Sequence, residues 1–196
     1  MFIRLLRRRR IMLLANRIQA AITQLQQGRP IVLVDDRDRE NEADLVYAAG
    51  QVTADDITFM LQHTCGIICV AMDEASCERL QLPPMVTHNK SHQTTPFAVS
   101  FEAAHGISTG VSSLDRAHSI RTVAQPNATP LDIVRPGHLF PLCANPQGVF
   151  GRRGHTEGSV DLMRVAQLPP VAAICELMHT DGTMMRGAAV SEFAQE

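Results

Sequence analysis

The sequence lacks tryptophan and has only one tyrosine among its 196 residues, yet 45% of its residues are hydrophobic and 19% are charged. These fractions are typical of a globular chain and exclude a disordered or fibrous protein. The length is close to that of one domain. The formal net charge of -2 argues against a general nucleic-acid binder, which would be clearly basic. We therefore expect a globular protein that has no nucleic-acid partner.

The sequence also lacks a long hydrophobic run. Four arginines at residues 7–10 precede apolar residues 11–14, but this run is too short for a signal-peptide core or a membrane span. We predict that residues 1–12 are a disordered basic extension, or that translation starts at Met12. A mitochondrial-type presequence is a weaker alternative. The predicted location is the cytoplasm, without a membrane partner.

The five cysteines lie at scattered positions that do not resemble a disulfide framework. Cys65 and Cys69 are four residues apart and Cys77 follows, but no second pair has the spacing of a zinc site. We predict reduced thiols.

Hydrophobic periodicity predicts helices and strands in one domain, residues 13–196, without a repeat or a long linker. Apolar residues at intervals of three and four predict a first helix over residues 13–27, ended by Gly28. The other predicted elements are a doubly buried strand at 30–34, a helix at 53–65, a strand at 66–72, a short helix at 77–85, a strand at 97–103, helices at 112–125 and 158–168, and a strand at 171–178. This order predicts an α+β fold in which helices flank a mixed β-sheet.

An acidic segment follows the first predicted strand. Six carboxylates occur within ten residues, with only Arg37 and Arg39 to offset them: Asp35, Asp36, Asp38, Glu40, Glu42 and Asp44. Carboxylate oxygens are the ligands that hard divalent cations prefer. A salt-bridged, solvated surface is the alternative interpretation.

Two further polar segments each place a histidine directly after a glycine and close behind an arginine. They are Arg135 with His138, and Arg152 with His155. Glycine allows a ligand or the backbone to approach each imidazole, and the arginine fork suits a phosphate. Thr156 adds a hydroxyl and a backbone N–H at a predicted helix start, which favours anions. The alternative is that each histidine is an ordinary turn residue.

Glu176 lies within the otherwise apolar segment "AICELM". An unpaired buried charge costs several kcal/mol, so this carboxylate must be paired or end at a site. By contrast, "STGVSSLDR", residues 108–116, is explained equally well by ordinary helix capping.

Six segments together resemble the 3,4-dihydroxy-2-butanone 4-phosphate synthase family. In order and approximate spacing they are "DDRDRENEADL", "HTCGIICVAM", "STGVSSLDR", "RPGHLFPL", "RRGHTEGSVDL" and "CELMHTDGTMMR", and the resemblance runs from about Leu14 to Arg186. It implies a lyase of riboflavin biosynthesis that uses Mg²⁺ (or Mn²⁺) to convert D-ribulose 5-phosphate to 3,4-dihydroxy-2-butanone 4-phosphate and formate. It also implies the family's α+β fold and a homodimer with active sites at the interface.

The resemblance further implies a role for particular residues. The implied metal ligands are Glu40 and His155. The implied catalytic residues are His138, Glu176 and Asp44. The implied substrate contacts are Arg39, Glu40, Asp44, Arg152, Arg153, Gly154, His155, Thr156 and Glu176.

The sequence departs from the family pattern at four positions. Cys65 stands where the family usually has serine or another small polar residue, Cys143 where arginine is usual and His179 where asparagine is common, and Pro96 precedes a predicted strand. We also expect that the chain is short of the family's usual terminal helix, and that it has no fused GTP cyclohydrolase II domain, because it has neither the length nor the cysteine spacing for that fusion. The departures motivate two alternatives: an isomerase or epimerase of another sugar phosphate, and a non-catalytic protein that binds a sugar phosphate.

Overall fold

The computed structural model describes the backbone of residues 2–195 and the side chains of residues 14–195. The predicted basic extension, residues 1–12, lies outside the residues whose side chains are described. Among the described residues, no helix is both long enough and apolar enough to cross a bilayer.

Six strands form one mixed sheet, which confirms the predicted sheet type, although the sequence predicted only four of these strands. They are β1 (Ile31–Val34), β2 (Ala43–Ala48), β3 (Cys69–Met72), β4 (Phe101–Ala103), β5 (Ile133–Cys143) and β6 (Val171–Glu176). Their spatial order is β1-β2-β6-β3-β5-β4. The β3–β5 pair is parallel, and the other neighbouring strands are antiparallel.

Helices cover both faces of this sheet. They are α1 (Phe2–Gln26), α2 (Ala54–His63), α3 (Glu74–Arg79), α4 (Ser113–Val123), α5 (His155–Val165) and α6 (Ala188–Phe193). Two short 3₁₀ turns span Pro130–Asp132 and Gly148–Phe150. The predicted single α+β domain is confirmed.

Side-chain alternation along the central strands divides the buried residues between the two faces. On β2, Leu45 and Tyr47 join a cluster with residues of α2 and α4, whereas Val46 and Ala48 join Leu25 of α1 and residues of α5. Because side chains on a strand point alternately to opposite faces, Asp44 lies on the same face as Val46, toward α5. The polar end of β2 is thus aimed at the first turn of α5.

Several predicted elements differ from those observed. The first strand was predicted to be buried on both faces, but β1 is an edge strand and Val34 is 50% exposed. The short helix α3 starts earlier than predicted because Asp73 caps it by accepting the Ser76 N–H at 3.0 Å. Helix α5 likewise begins at His155, three residues before its predicted start.

Strands β2 and β5 and helix α6 were not predicted. Strand β2 begins within the acidic segment, whose charges are not typical of a buried strand. Strand β5 contains two prolines and a glycine, which normally argue against a strand. In β5 the pairing with β4 jumps from Val134 to Leu139, so residues 135–138 bulge out of the ladder. Pro136 therefore removes no ladder hydrogen bond.

We predict that Phe101→Ala lowers the free energy of unfolding by about 3–5 kcal/mol, because it removes a fully buried ring and leaves a cavity. Phe150→Ala is the matched control. Its ring is 96% exposed, so its effect should stay within about 0.5 kcal/mol. Urea denaturation of the two variants checks this, and similar losses for both would contradict the described core.

Candidate active site

The acidic segment folds around one buried carboxylate, that of Asp35. Its Oδ2 accepts the Glu40 N–H at 3.1 Å, and its Oδ1 accepts the Glu42 N–H at 3.0 Å. Arg39 Nη1 also donates to Oδ2, at 2.9 Å. Burial alone would raise the pKa of Asp35, but these hydrogen bonds outweigh it and hold the pKa below its usual value. Asp35 thus organises the loop as an ionised carboxylate, a role that the sequence did not reveal.

His155, the first residue of α5, is buried beside this loop. Its Nε2 lies 3.2 Å from the Glu42 carbonyl oxygen and 3.9 Å from Asp35 Oδ1. Burial lowers the pKa of His155, although the Asp35 charge opposes that change. A neutral imidazole is the form that binds a metal ion.

Both metal ligands that the resemblance implied therefore lie together. Asp35, Glu40 and His155 each offer one possible ligand atom, and these three atoms lie within 4.8 Å of one another. The Glu40 carboxylate is partly exposed and pairs with both terminal nitrogens of Arg39, one of them at 3.1 Å. Arg39 thus joins the cluster through its pairing with Glu40.

Asp44 and Glu176 lie directly opposite each other on the neighbouring strands β2 and β6. Opposed residues of antiparallel strands place their Cβ atoms about 4.5–5.5 Å apart, so two like charges here are unfavourable. Burial, and then the Glu176 charge, raise the pKa of Asp44 well above its usual value. Burial likewise raises the pKa of Glu42, although Arg186 pairs with its carboxylate. Such a costly arrangement is typical of a functional site.

The polar atoms of this region suit a divalent cation. Asp44 Oδ1 lies 3.2 Å from His155 Nδ1, but the orientation forms no hydrogen bond, and this buried oxygen has no hydrogen-bond partner among the described residues. Carboxylate oxygens and a neutral imidazole are donors that Mg²⁺ and Mn²⁺ accept. The donor set therefore fits the metal ion that the resemblance implied.

The two arginines before α5 differ in their surroundings. Arg152 Nη1 donates to Glu157 Oε2 at 2.9 Å, and the fully buried Glu157 also accepts the Asn145 N–H at 3.1 Å. Arg153 is 78% exposed at its side chain and pairs with Asp36 at 3.0 Å. Arg152 thus supports the loop from inside, whereas Arg153 reaches into solvent. The role of Glu157 was missed because its partner could not be inferred from the sequence.

Helix α5 begins without a side-chain cap. Gly154 occupies the N-cap position, and the following Thr156 is buried. A Cβ atom at Gly154 would lie 2.4 Å from Arg152 Nη1, so a larger residue here would displace the Arg152 guanidinium from its place beside Glu157. The first N–H groups of a helix have no partner within the helix and favour an anion. The anion site that the sequence predicts would lie at this helix start.

His138 lies apart from the acidic cluster, in the bulge of β5. Its Nδ1 is 2.6 Å from Glu102 Oε2 on β4, and nearly half of its side chain is exposed. A Cβ atom at Gly137 would lie 2.1 Å from the Phe101 carbonyl carbon, so this close backbone approach requires glycine. Strand β3 separates β5 from β6, and in the part of the chain described here His138 has no hydrogen bond or ion pair with the cluster.

The departures from the family pattern differ in where they lie. Cys65 contacts a predicted site residue, since its Sγ lies 2.9 Å from Glu176 Oε2. Cys143 instead adjoins Cys77 of α3, and its N–H donates to the Pro96 carbonyl at 3.1 Å. The His179 N–H donates within a turn, to Thr183 O at 2.8 Å.

We predict that Arg152→Ala lowers the free energy of unfolding by about 3 kcal/mol, because it leaves the Glu157 charge buried without its partner. Arg153→Ala, which removes an exposed ion pair, should cost less than about 1 kcal/mol. Denaturation curves of the two variants at neutral pH measure the difference. Equal costs would contradict the described pairing of Arg152.

A second prediction concerns the raised pKa of Asp44. Because the folded protein resists ionisation of this carboxyl, its stability falls as the pH rises from the usual pKa of 3.8 through the higher pKa of the folded state. Asp44→Asn should therefore be more stable than the wild type at neutral pH in EDTA, and the advantage should vanish below the usual pKa. Denaturation across this pH range, beside Asp38→Asn of the same loop, tests the expectation. A destabilised Asp44→Asn at neutral pH would refute it.

Comparison with known proteins agrees with the sequence-based resemblance. Residues 19–196 match the family model of 3,4-dihydroxy-2-butanone 4-phosphate synthase. The synthase of that name from Bordetella pertussis is 49% identical over 180 residues, which cover 92% of this chain and 78% of that protein. The synthase from Vibrio cholerae is 48% identical over 180 residues, which cover 92% of this chain and 83% of that protein.

A solved structure agrees as well. A crystal structure of 3,4-dihydroxy-2-butanone 4-phosphate synthase in complex with two magnesium ions has a TM-score of 0.88 and 40% sequence identity to this chain, and the match covers 91% of this chain and 88% of that one. Sequence and fold thus agree over nearly the whole length, and the chain belongs to the 3,4-dihydroxy-2-butanone 4-phosphate synthase family of enzymes.

Proposed function

We propose that this protein is a carbon–carbon lyase that converts D-ribulose 5-phosphate to 3,4-dihydroxy-2-butanone 4-phosphate and formate in riboflavin biosynthesis. The observation that carries the proposal is the position of Glu40 and His155, which lie beside the opposed carboxylates Asp44 and Glu176. A metal-binding pair next to groups that can move protons is what removal of a proton beside a sugar carbonyl requires.

Glu40 and His155 would hold Mg²⁺, and Mn²⁺ could replace it because both cations accept oxygen and imidazole ligands. A bound cation stabilises the negative charge that develops on sugar oxygens when the neighbouring proton is removed. Asp35 is not assigned as a ligand because backbone N–H groups and Arg39 already engage both of its oxygens.

The substrate phosphate would bind at the start of α5. The free N–H groups of the first turn, at His155 and Thr156, and the exposed guanidinium of Arg153 supply donors for its oxygens. Arg152 and Gly154 shape this loop, since the guanidinium packs against the glycine and is held by Glu157.

Proton transfer is assigned to the opposed carboxylates and to His138. Asp44, with its raised pKa, can hold a proton nearer to neutral pH than an exposed aspartate can. Glu176 lies across from it at the end of β6 and would face the same substrate. Arg39 and Glu40 line the other side of the cluster, so the substrate would be bound between charged groups of both signs.

We also propose that the protein is a cytoplasmic homodimer with its active sites at the interface. This assignment rests on family membership, and the exposed position of His138 supports it. His138 and Glu102 form a pair at the surface, where a second copy of the chain could bring them to a substrate.

Formate release from D-ribulose 5-phosphate with Mg²⁺, with and without EDTA, tests the proposed reaction. Glu40→Gln removes a charged metal ligand, so we expect the rate to fall by about 100-fold or more. Asp38→Asn is the matched control: Asp38 is an exposed carboxylate of the same loop, and its loss should leave the rate unchanged.

Two results would overturn the proposed reaction. Interconversion of pentose phosphates without formate would indicate an isomerase or epimerase. Sugar-phosphate binding by folded protein without any turnover would indicate a non-catalytic binding protein.

A further inference from the structure

Two thiols and a carboxylate meet where β6 ends. Cys65 Sγ lies 3.6 Å from Cys175 Sγ and 2.9 Å from Glu176 Oε2, and one ligand atom from each of the three residues falls within 4.8 Å of the other two. We call this group the thiol–carboxylate cluster. The proposed reaction uses Glu176 alone, so it does not account for the two thiols.

We propose that the thiol–carboxylate cluster is a second metal site, which binds a thiophilic divalent cation such as Zn²⁺ through Cys65, Cys175 and Glu176. Two sulfurs bound to a tetrahedral zinc ion at about 2.3 Å lie about 3.8 Å apart. The observed 3.6 Å between the sulfurs is close to this value, so little movement is needed to bind the ion.

The surroundings of the cluster suit such a site. Thr64 Oγ1 lies 3.0 Å from Cys175 Sγ and 2.6 Å from the Met60 carbonyl oxygen, so its one hydrogen is shared between them, and polar contacts of this kind orient metal ligands. The neighbouring Cys65 and burial raise the pKa of the Cys175 thiol, so a bound cation would have to displace its proton, and the positive charge of Arg116 lies nearby. Cys65 and Glu176 are only partly buried, so a fourth position remains accessible to water, as in zinc sites with three protein ligands.

The two sites differ in their ligand chemistry. Glu40 and His155 present oxygen and nitrogen, whereas the thiol–carboxylate cluster presents two sulfurs, which select zinc, cadmium or cobalt over magnesium. Saturating Mg²⁺ should therefore leave the second site free for a thiophilic ion. If the proposed function holds, an ion bound to Glu176 would also withdraw that carboxylate from the reaction and inhibit it.

The chain offers a matched control pair. Cys77 and Cys143 also adjoin each other, on α3 and β5, and line a groove with Glu74 and Glu78. Within the described residues, however, this pair does not join a third ligand atom in a group as tight as the thiol–carboxylate cluster. It shares the thiol chemistry, but no carboxylate of the described residues lies as close to both of its sulfurs.

Co²⁺ titration of the reduced, full-length protein in saturating Mg²⁺ tests the site directly. We expect a thiolate-to-cobalt charge-transfer band that saturates at one equivalent per chain and is removed by Zn²⁺. Cys65→Ser should weaken cobalt binding at least about 10-fold, because a ligand is lost. Cys143→Ser should leave the band unchanged. Circular dichroism confirms that each variant is folded.

The proposal is overturned if the wild type shows no thiolate band, if folded Cys65→Ser keeps it at full strength, or if Cys143→Ser abolishes it. Zinc sensitivity of formate release is the second readout, and Cys65→Ser should reduce that sensitivity. A cobalt band in a protein that releases no formate would reject the proposed reaction and keep the metal site. If zinc does not change the rate of formate release, the proposal that an ion bound to Glu176 inhibits the reaction is wrong.

Discussion

The architecture of the candidate active site depends on the hydrogen bonds accepted by one buried carboxylate, Asp35. Without them, the segment that follows β1 would carry closely spaced negative charges and no reason to fold back on the sheet. By accepting the N–H groups of Glu40 and Glu42, Asp35 fixes the loop so that the Glu40 side chain and the Glu42 carbonyl both face His155. The proposed metal site is thus a consequence of loop geometry rather than of charge density.

The sheet supplies the opposite kind of constraint, because it holds groups together that repel each other. The β2–β6 register places Asp44 opposite Glu176, and hydrophobic packing on both faces keeps that register. A slip of one residue would exchange the large Leu45 and Tyr47 with the smaller Val46 and Ala48 between the two buried clusters, so packing enforces the unfavourable pair. The raised pKa of Asp44 is the chemical result, and the proposed proton transfers rely on it.

Glycine has a structural role at both Gly-His segments, although the two histidines differ in position. Gly137 allows β5 to bulge against Phe101, and Gly154 allows Arg152 to cross the loop before α5. The sequence indicated a need for close approach in both places. It did not indicate that His155 would be buried in the acidic cluster, or that His138 would lie on a bulge beside Glu102.

The sequence by itself determined the fold class, most helices and the family, because hydrophobic periodicity and motif order are local properties of the chain. The acidic segment, His155 and Glu176 also stood out without a structure, because polar groups beside apolar segments are unusual, and the family resemblance singled out Glu40 and Asp44 within that segment. Only the tertiary structure decided the partners of these groups. Arg152 pairs with Glu157, Arg186 reaches Glu42, and Cys65 meets Cys175 from 110 residues away. Such pairings arise from strand order and loop closure, which bring together residues whose separation along the chain carries no signal.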